Sequence, residues 1–112
     1  MDHSLNHSPH LQINDKSKIS CPTSQIIRLE AKSNYCEIIT QNQNYFIPKT
    51  LKRFDLVLPA NFIRLHSKHL VNTEFISVVH KNYVIMTNND VVGMSRRKKN
   101  NAMKVINHSV YI

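Results

Sequence analysis

The chain has 112 residues, 15 Lys and Arg against 7 Asp and Glu, and a formal charge of +8; its pI is near 9.8. That length allows one domain with a small core and no second one, and no apolar run approaches the roughly 20 residues needed to span a bilayer. The charge suits an anionic partner, nucleic acid or an anionic membrane surface, and says nothing about fold.

The first 24 residues are polar, with scattered Leu and Ile and no period, and are expected to form a disordered arm or linker. No apolar signal-type stretch opens the chain. His3, His7 and His10 stand close in sequence. A flexible arm would lose conformational entropy in ordering them, and no fourth ligand is placed, so they are set aside as a metal site. Cys21 falls in this weakly patterned region, while Cys36 sits in an apolar run and reads as a buried thiol. Without C-x-x-C spacing they form neither a redox pair nor a zinc half-site. The expectation is a soluble cytoplasmic protein without a disulfide framework.

Residues 25–31 alternate Ile27, Leu29 and Ala31 with Arg28 and Glu30, as a half-buried strand does. Residues 32–34 make a turn, with Asn34 suited to a left-handed backbone. Strands follow at 35–40 and 45–47, separated by a polar turn at 41–44. Pro48 ends this run. Leu51, Phe54 and Leu58, with Leu56 or Val57, then fit a helical face of about two turns, with Thr50 as cap and Pro59 as stop. Short strands at 62–65 and 69–71 flank a turn that carries Ser67 and Lys68. Further strands are predicted at 74–80, 83–87 and 91–94, with turns at Asn82 and at residues 88–90. Gly93, the sole glycine, marks a bulge or a close backbone approach. Residues 96–106 read as a terminal helix through Ala102, Met103 and Ile106, and Val110, Tyr111 and Ile112 pack or fray. No connection is long enough for a helical crossover, so the class is mostly β: small antiparallel sheets of short strands with one or two short helices.

The charge is uneven. From residue 25 onward there are 13 Lys and Arg against 5 Asp and Glu, so this part carries the whole excess. Within residues 62–72 apolar Phe62 and Ile63 on one side and Leu70 and Val71 on the other bracket Arg64, His66, Ser67, Lys68 and His69, with no acid among them. Arg96, Arg97, Lys98 and Lys99 are the densest block. Four cations at a helix N-terminus oppose the macrodipole, and a bound phosphate would relieve that conflict.

Four segments in order resemble the LytTR DNA-binding domain. Residues 30–35, E-A-K-S-N-Y, resemble its E-A-x-x-N-Y turn. Thr50-Leu51 with Leu58 and Phe62 resemble its T-L…L…F region. Arg64, His66, Leu70, Val71 and Asn72 resemble its R-x-H-x-S-x-L-V-N signature, and Ser95-Arg96 its closing S-R. The resemblance covers residues 25–106, within a domain placed at 25–112. It implies a domain that inserts loops into successive major grooves, at paired direct repeats upstream of bacterial genes, as a transcriptional regulator. The implied DNA-contacting residues are Lys32 and Asn34; Arg64, His66, Ser67 and Lys68; and Ser95, Arg96 and Arg97. The chain departs from the family in two places. After His66 it has Ser67-Lys68-His69, where the family has a basic residue, Ser and an aromatic, and it has Gly93 where the family often has proline.

Arg forks onto guanine O6 and N7, and Asn pairs with adenine N6 and N7, so Arg97, Arg64 and Asn34 are the base-reading candidates. Lys32, Lys68, Ser95, Arg96 and Lys98 suit phosphates, which position a protein without reading sequence. Other roles stand beside these: Asn34 as a turn former, Arg64 paired with a carboxylate across the sheet, His66 as a packed residue, and Asn72 as a structural amide closing a turn. A second functional reading is a non-enzymatic module that pairs with another regulator or binds RNA. A third is a metal-dependent hydrolase using His66, His69 and His80, which lacks a local carboxylate or thiolate ligand. No Gly-rich phosphate loop, paired carboxylates or activated nucleophile is present, so neither an enzyme nor a cofactor is expected. Regulators of the family usually carry a receiver or membrane domain. In a chain of this length the input would come from its own level, from a separate signalling partner or from the arm. A homodimer on DNA is a further expectation.

Overall fold

The computed structural model describes residues 10–14 and 19–109. In chain order the described elements are β1 (His10–Asn14), β2 (Ile19–Pro22), β3 (Ile26–Ala31), β4 (Cys36–Thr40), β5 (Asn44–Ile47), α1 (Leu51–Asp55), β6 (Phe62–His66), β7 (His69–Asn72), β8 (Ile76–Val79), β9 (Tyr83–Met86), β10 (Val91–Gly93) and α2 (Arg96–Ser109). Single 3-10 turns at Thr23–Gln25 and Thr73–Phe75 lead into β3 and β8. The strands form three antiparallel sheets: β1-β2, β10-β9-β8, and a central five-stranded sheet in the order β5-β4-β3-β7-β6.

Hydrophobic side chains on both faces of the central sheet account for two cores. One joins Ile27, Ile39, Ile63, Leu65 and Val71 to Val84, Met86 and Val92 of the three-stranded sheet and to Ala102 and Ile106 of α2. The other joins Leu29, Ile38, Ile47, Phe62 and Leu70 to Leu11 and Cys21 of the N-terminal hairpin and to Leu51 and Phe54 of α1. Ile26, Leu29, Ile38, Leu65 and Leu70 are almost wholly inaccessible, and burying each contributes about 1.5–3 kcal/mol. The mostly-β class and the antiparallel hairpins expected from the sequence are what the structure shows.

One polar link ties two sheets together, and another pins strands and turns of the central sheet. Arg28 Nε donates to Asp90 Oδ2 at 2.9 Å, tying β3 to the turn before β10. Asn72, only 1 % exposed, donates to the Ile26 carbonyl at 2.9 Å. Its Oδ1 accepts from Glu74 N at 2.9 Å and from the Asn61 amide at 2.7 Å. It therefore closes the turn after β7, the structural role read for it.

Several expectations are corrected. Residues 10–14 and 19–22, placed in a disordered arm, pair as a hairpin because Leu11 and Cys21 reach the second core; His3, His7 and residues 110–112 lie outside the described residues. Helix α1 has five residues, and Thr50 precedes it without a capping side-chain bond. Leu56 and Val57, past its end, are 83 % and 60 % exposed. The left-handed residue among the described ones is Asn89 (φ 74°), not Asn34. Gly93 has a negative φ and no heavy atom within 4 Å of where a Cβ would stand, so neither backbone nor packing requires glycine there. Residues 73–75 form a 3-10 turn, which shortens the strand predicted at 74–80 to β8.

Candidate nucleic-acid interface

The pairing register gathers three connections at one end of the central sheet. Ala31 at the end of β3 faces Cys36 at the start of β4, and Cys36 faces Ile47 at the end of β5. Glu30 faces His69, and His69 faces His66 across the β6–β7 turn. The 32–35 turn, the 48–50 segment and the 67–68 turn therefore share an edge. Backbone bonds stitch it: Ala31 N donates to the Lys68 carbonyl at 2.9 Å, and Ser95 N to the Leu65 carbonyl at 2.8 Å, which brings the start of α2 beside His66. The three segments expected to act together are neighbours in space.

Within the β6–β7 turn, the His66 Nδ1 accepts the Lys68 backbone N–H at 3.2 Å. With Nδ1 engaged as acceptor, a neutral ring carries its proton on Nε2 and holds one donor for a ligand. Ser67 and Lys68 are exposed. Arg64 is the residue whose position most narrows its role. Its Nη2 pairs with Asp55 of α1, its Nη1 donates to the Ser67 carbonyl at 3.2 Å, and its Nε is buried without a hydrogen-bond partner. The side chain is 18 % exposed. The carboxylate comes from α1 and not, as expected, from across the sheet. In this arrangement Arg64 fixes the turn, and its fork is occupied.

Lys32 lies between carboxylates: its Nζ is 3.1 Å from Glu30 and 3.6 Å from Glu37. Glu30 also accepts from Arg28 Nη1 at 2.8 Å. Burial alone would raise the Glu30 pKa, but hydrogen bonds from Arg28 and Lys32 hold it below the ordinary carboxylate value. Asn34 is exposed in the turn. Behind this edge His69 is half-buried with its Nδ1 unpartnered, and burial pushes its imidazole below the usual value, with Glu30 opposing.

At the start of α2, Ser95 stands at the N-cap: its Oγ accepts the Lys98 backbone N–H at 3.3 Å. That bond gives the hydroxyl a structural task next to the phosphate role expected for it. Arg96 and Arg97 are exposed and Lys98 is partly so. Lys99 is drawn aside to the Asn82 side chain at 3.1 Å.

A concavity of about 380 Å³ opens at this edge, lined by residues 31–36, 48–52, Arg64 and Ser67. Its wall includes Lys32, Lys49, Lys52 and Arg64 and no acidic side chain. Lys49 and Lys52 escaped the sequence reading, because only the β4–β5 register brings residues 48–52 to the same end as the 32–35 turn. The three-histidine metal reading finds no support in this geometry. The His66 and His69 rings are 5.5 Å apart, while His80 packs on Tyr83 in the three-stranded sheet. Among the described residues no group of three His, Cys, Asp or Glu side chains is arranged to hold a metal ion.

Hairpin turns and one helix start are tied into a single donor-rich and cationic edge on a small mostly-β domain. The chain belongs to the LytTR family: the family model described as the LytTr DNA-binding domain matches residues 16–107. Among solved structures it is similar to the LytTr DNA-binding domain of a protein from Bacillus cereus described as a methyl-accepting/DNA response regulator. The TM-score is 0.75 at 23 % identity, over 87 % of this chain and 95 % of that one. No curated protein sequence matches. The matched span begins at residue 16, upstream of the boundary expected at residue 25. Among the described residues no helix is long and apolar enough to cross a membrane.

Proposed function

We propose that this protein is a bacterial transcriptional regulator that binds specific double-stranded DNA through the 32–35 turn, the β6–β7 turn and the start of α2. The observation that carries the reading is the continuous edge these segments form through the Ala31–Lys68 and Ser95–Leu65 bonds. Three exposed, donor-rich segments held at fixed spacing can follow a duplex, where separate loops would lose more entropy on binding. Arg97, Asn34 and His66 read base edges in the major groove. Lys32, Lys68, Arg96 and Lys98 hold phosphates, joined by the hydroxyls of Ser67 and Ser95. Arg64 acts by holding the β6–β7 turn. Two copies occupy paired direct repeats. The chemistry is binding alone, without a cofactor, in the cytoplasm, with a separate partner supplying the signal.

The test is competition binding to a labelled bacterial promoter library at two salt concentrations. Specific complexes should survive excess unrelated duplex, while purely electrostatic ones fall steeply with salt and are removed by competitor. Complexes that disappear with competitor, or a preference for RNA of any sequence, would overturn the reading.

A further inference from the structure

The concavity beside the 32–35 and β6–β7 turns has two walls. One is built by Lys32, Asn34, Arg64 and Ser67 and the other by Lys49 and Lys52, with no carboxylate among the lining residues. The cations of the first wall are partly neutralised, Lys32 by Glu30 and Glu37 and Arg64 by Asp55. On the second wall Lys52 is exposed and, among the described residues, pairs with no carboxylate; Lys49 is half-buried beside it. Neither belongs to the segments whose resemblance to the family implied contact. A duplex lying along the sheet edge would present a backbone to this second wall, and two ammonium groups there attract phosphates without reading sequence.

We propose that Lys49 and Lys52 form a fourth DNA-contacting element, which grips the phosphate backbone across the concavity from the β6–β7 turn and lengthens the footprint on one side. The inference rests on the DNA-binding reading above.

The experiment measures affinity of the full chain for a selected duplex and for an unrelated duplex between 50 and 200 mM salt. Wild type is compared with Lys49→Gln/Lys52→Gln, with Lys49→Arg/Lys52→Arg and with Lys104→Gln on α2. Losing two phosphate contacts should reduce the salt slope by about 1.8, so that wild type loses about 12-fold more affinity than the Gln pair over that range. The loss should be equal on both duplexes. The Arg pair should keep the wild-type slope, which excludes misfolding as the cause, and Lys104→Gln should leave it unchanged. Interference by ethylated phosphates should shrink by one or two positions at one end of the site in the Gln pair. A wild-type protein that binds duplex with the same slope as the Gln pair overturns the fourth contact alone. Failure of wild type to bind any duplex overturns the DNA-binding reading and this inference together.

Discussion

Arg64→Met separates two roles that the guanidinium could have. The substitution keeps most of the apolar stem and removes the charge and all five donors. The Ser67 carbonyl loses a charge-assisted bond of 3.2 Å in a part-exposed turn, which costs about 1 kcal/mol once water takes over part of the bond. The pair with Asp55 has side chains 18 % and 37 % exposed, so solvent screening leaves it about 0.5 kcal/mol. The total of about 1.5 kcal/mol should lower the melting temperature by roughly 5–10 °C for a domain of this size. Specific binding should weaken through a loosened β6–β7 turn, with the pattern of base preference retained. Asp55→Asn should give a smaller loss of stability and the same preference. Thermal unfolding followed by circular dichroism, together with binding to a panel of single-base site variants, checks both. An unchanged melting temperature with preference lost at one base pair would refute the positioning role, because a base-reading Arg is worth about 1–3 kcal/mol at its own pair alone.

Asn72→Ala removes one donor and one double acceptor from a site 1 % exposed; unfolding by urea should show a loss of about 2–4 kcal/mol with an unchanged slope against denaturant. Arg97→Ala should weaken binding to the selected site far more than to unrelated DNA, and His66→Ala should do the same, whereas Lys98→Ala should weaken binding to all duplexes alike; equal losses across sequences for Arg97→Ala would remove its base-reading role. His69 is held below its ordinary pKa by burial. Between its folded value and about 6.5 the unfolded chain therefore binds more protons, and stability declines as pH falls from above 6.5. Urea midpoints at pH 8 and 5.5 should differ less in His69→Gln than in wild type, and an identical difference would contradict this. Glu30, held below the ordinary carboxylate value chiefly by Arg28 and Lys32 after burial is overcome, contributes stability that is present above the unfolded carboxylate value and lost at lower pH, which His69→Gln leaves in place.

The local patterns that were readable in the sequence were those in which neighbouring residues decide the outcome. Alternation at 26–31, the polar breaks at 41–44 and 88–90, and the spacing of Ala102 and Ile106 each specify an element without distant help. The N-terminal hairpin was not readable, because its burial depends on Leu11 and Cys21 meeting Leu51 and Phe54 from elsewhere in the chain. Apolarity misled at Leu56 and Val57, which lie beyond the end of α1 and face solvent. At the site, residue types announced an anionic partner, and the order of motifs pointed to three segments. Which cations are engaged was invisible. Arg64 meets Asp55 nine positions away through tertiary packing, and Lys32 meets Glu30 and Glu37 across a hairpin register. Lys49 and Lys52 join the edge only because β5 runs antiparallel to β4.

The central claim is that the edge formed by the 32–35 turn, the β6–β7 turn and the start of α2 reads a particular DNA sequence. The most direct measurement is repeated selection of bound sites by the full chain from random duplex DNA at moderate salt. Enrichment of one short motif, recovered as two direct repeats, is expected, with loss of that enrichment in Arg97→Ala. Recovery of duplexes with no shared motif, while the protein still retains DNA, would contradict it.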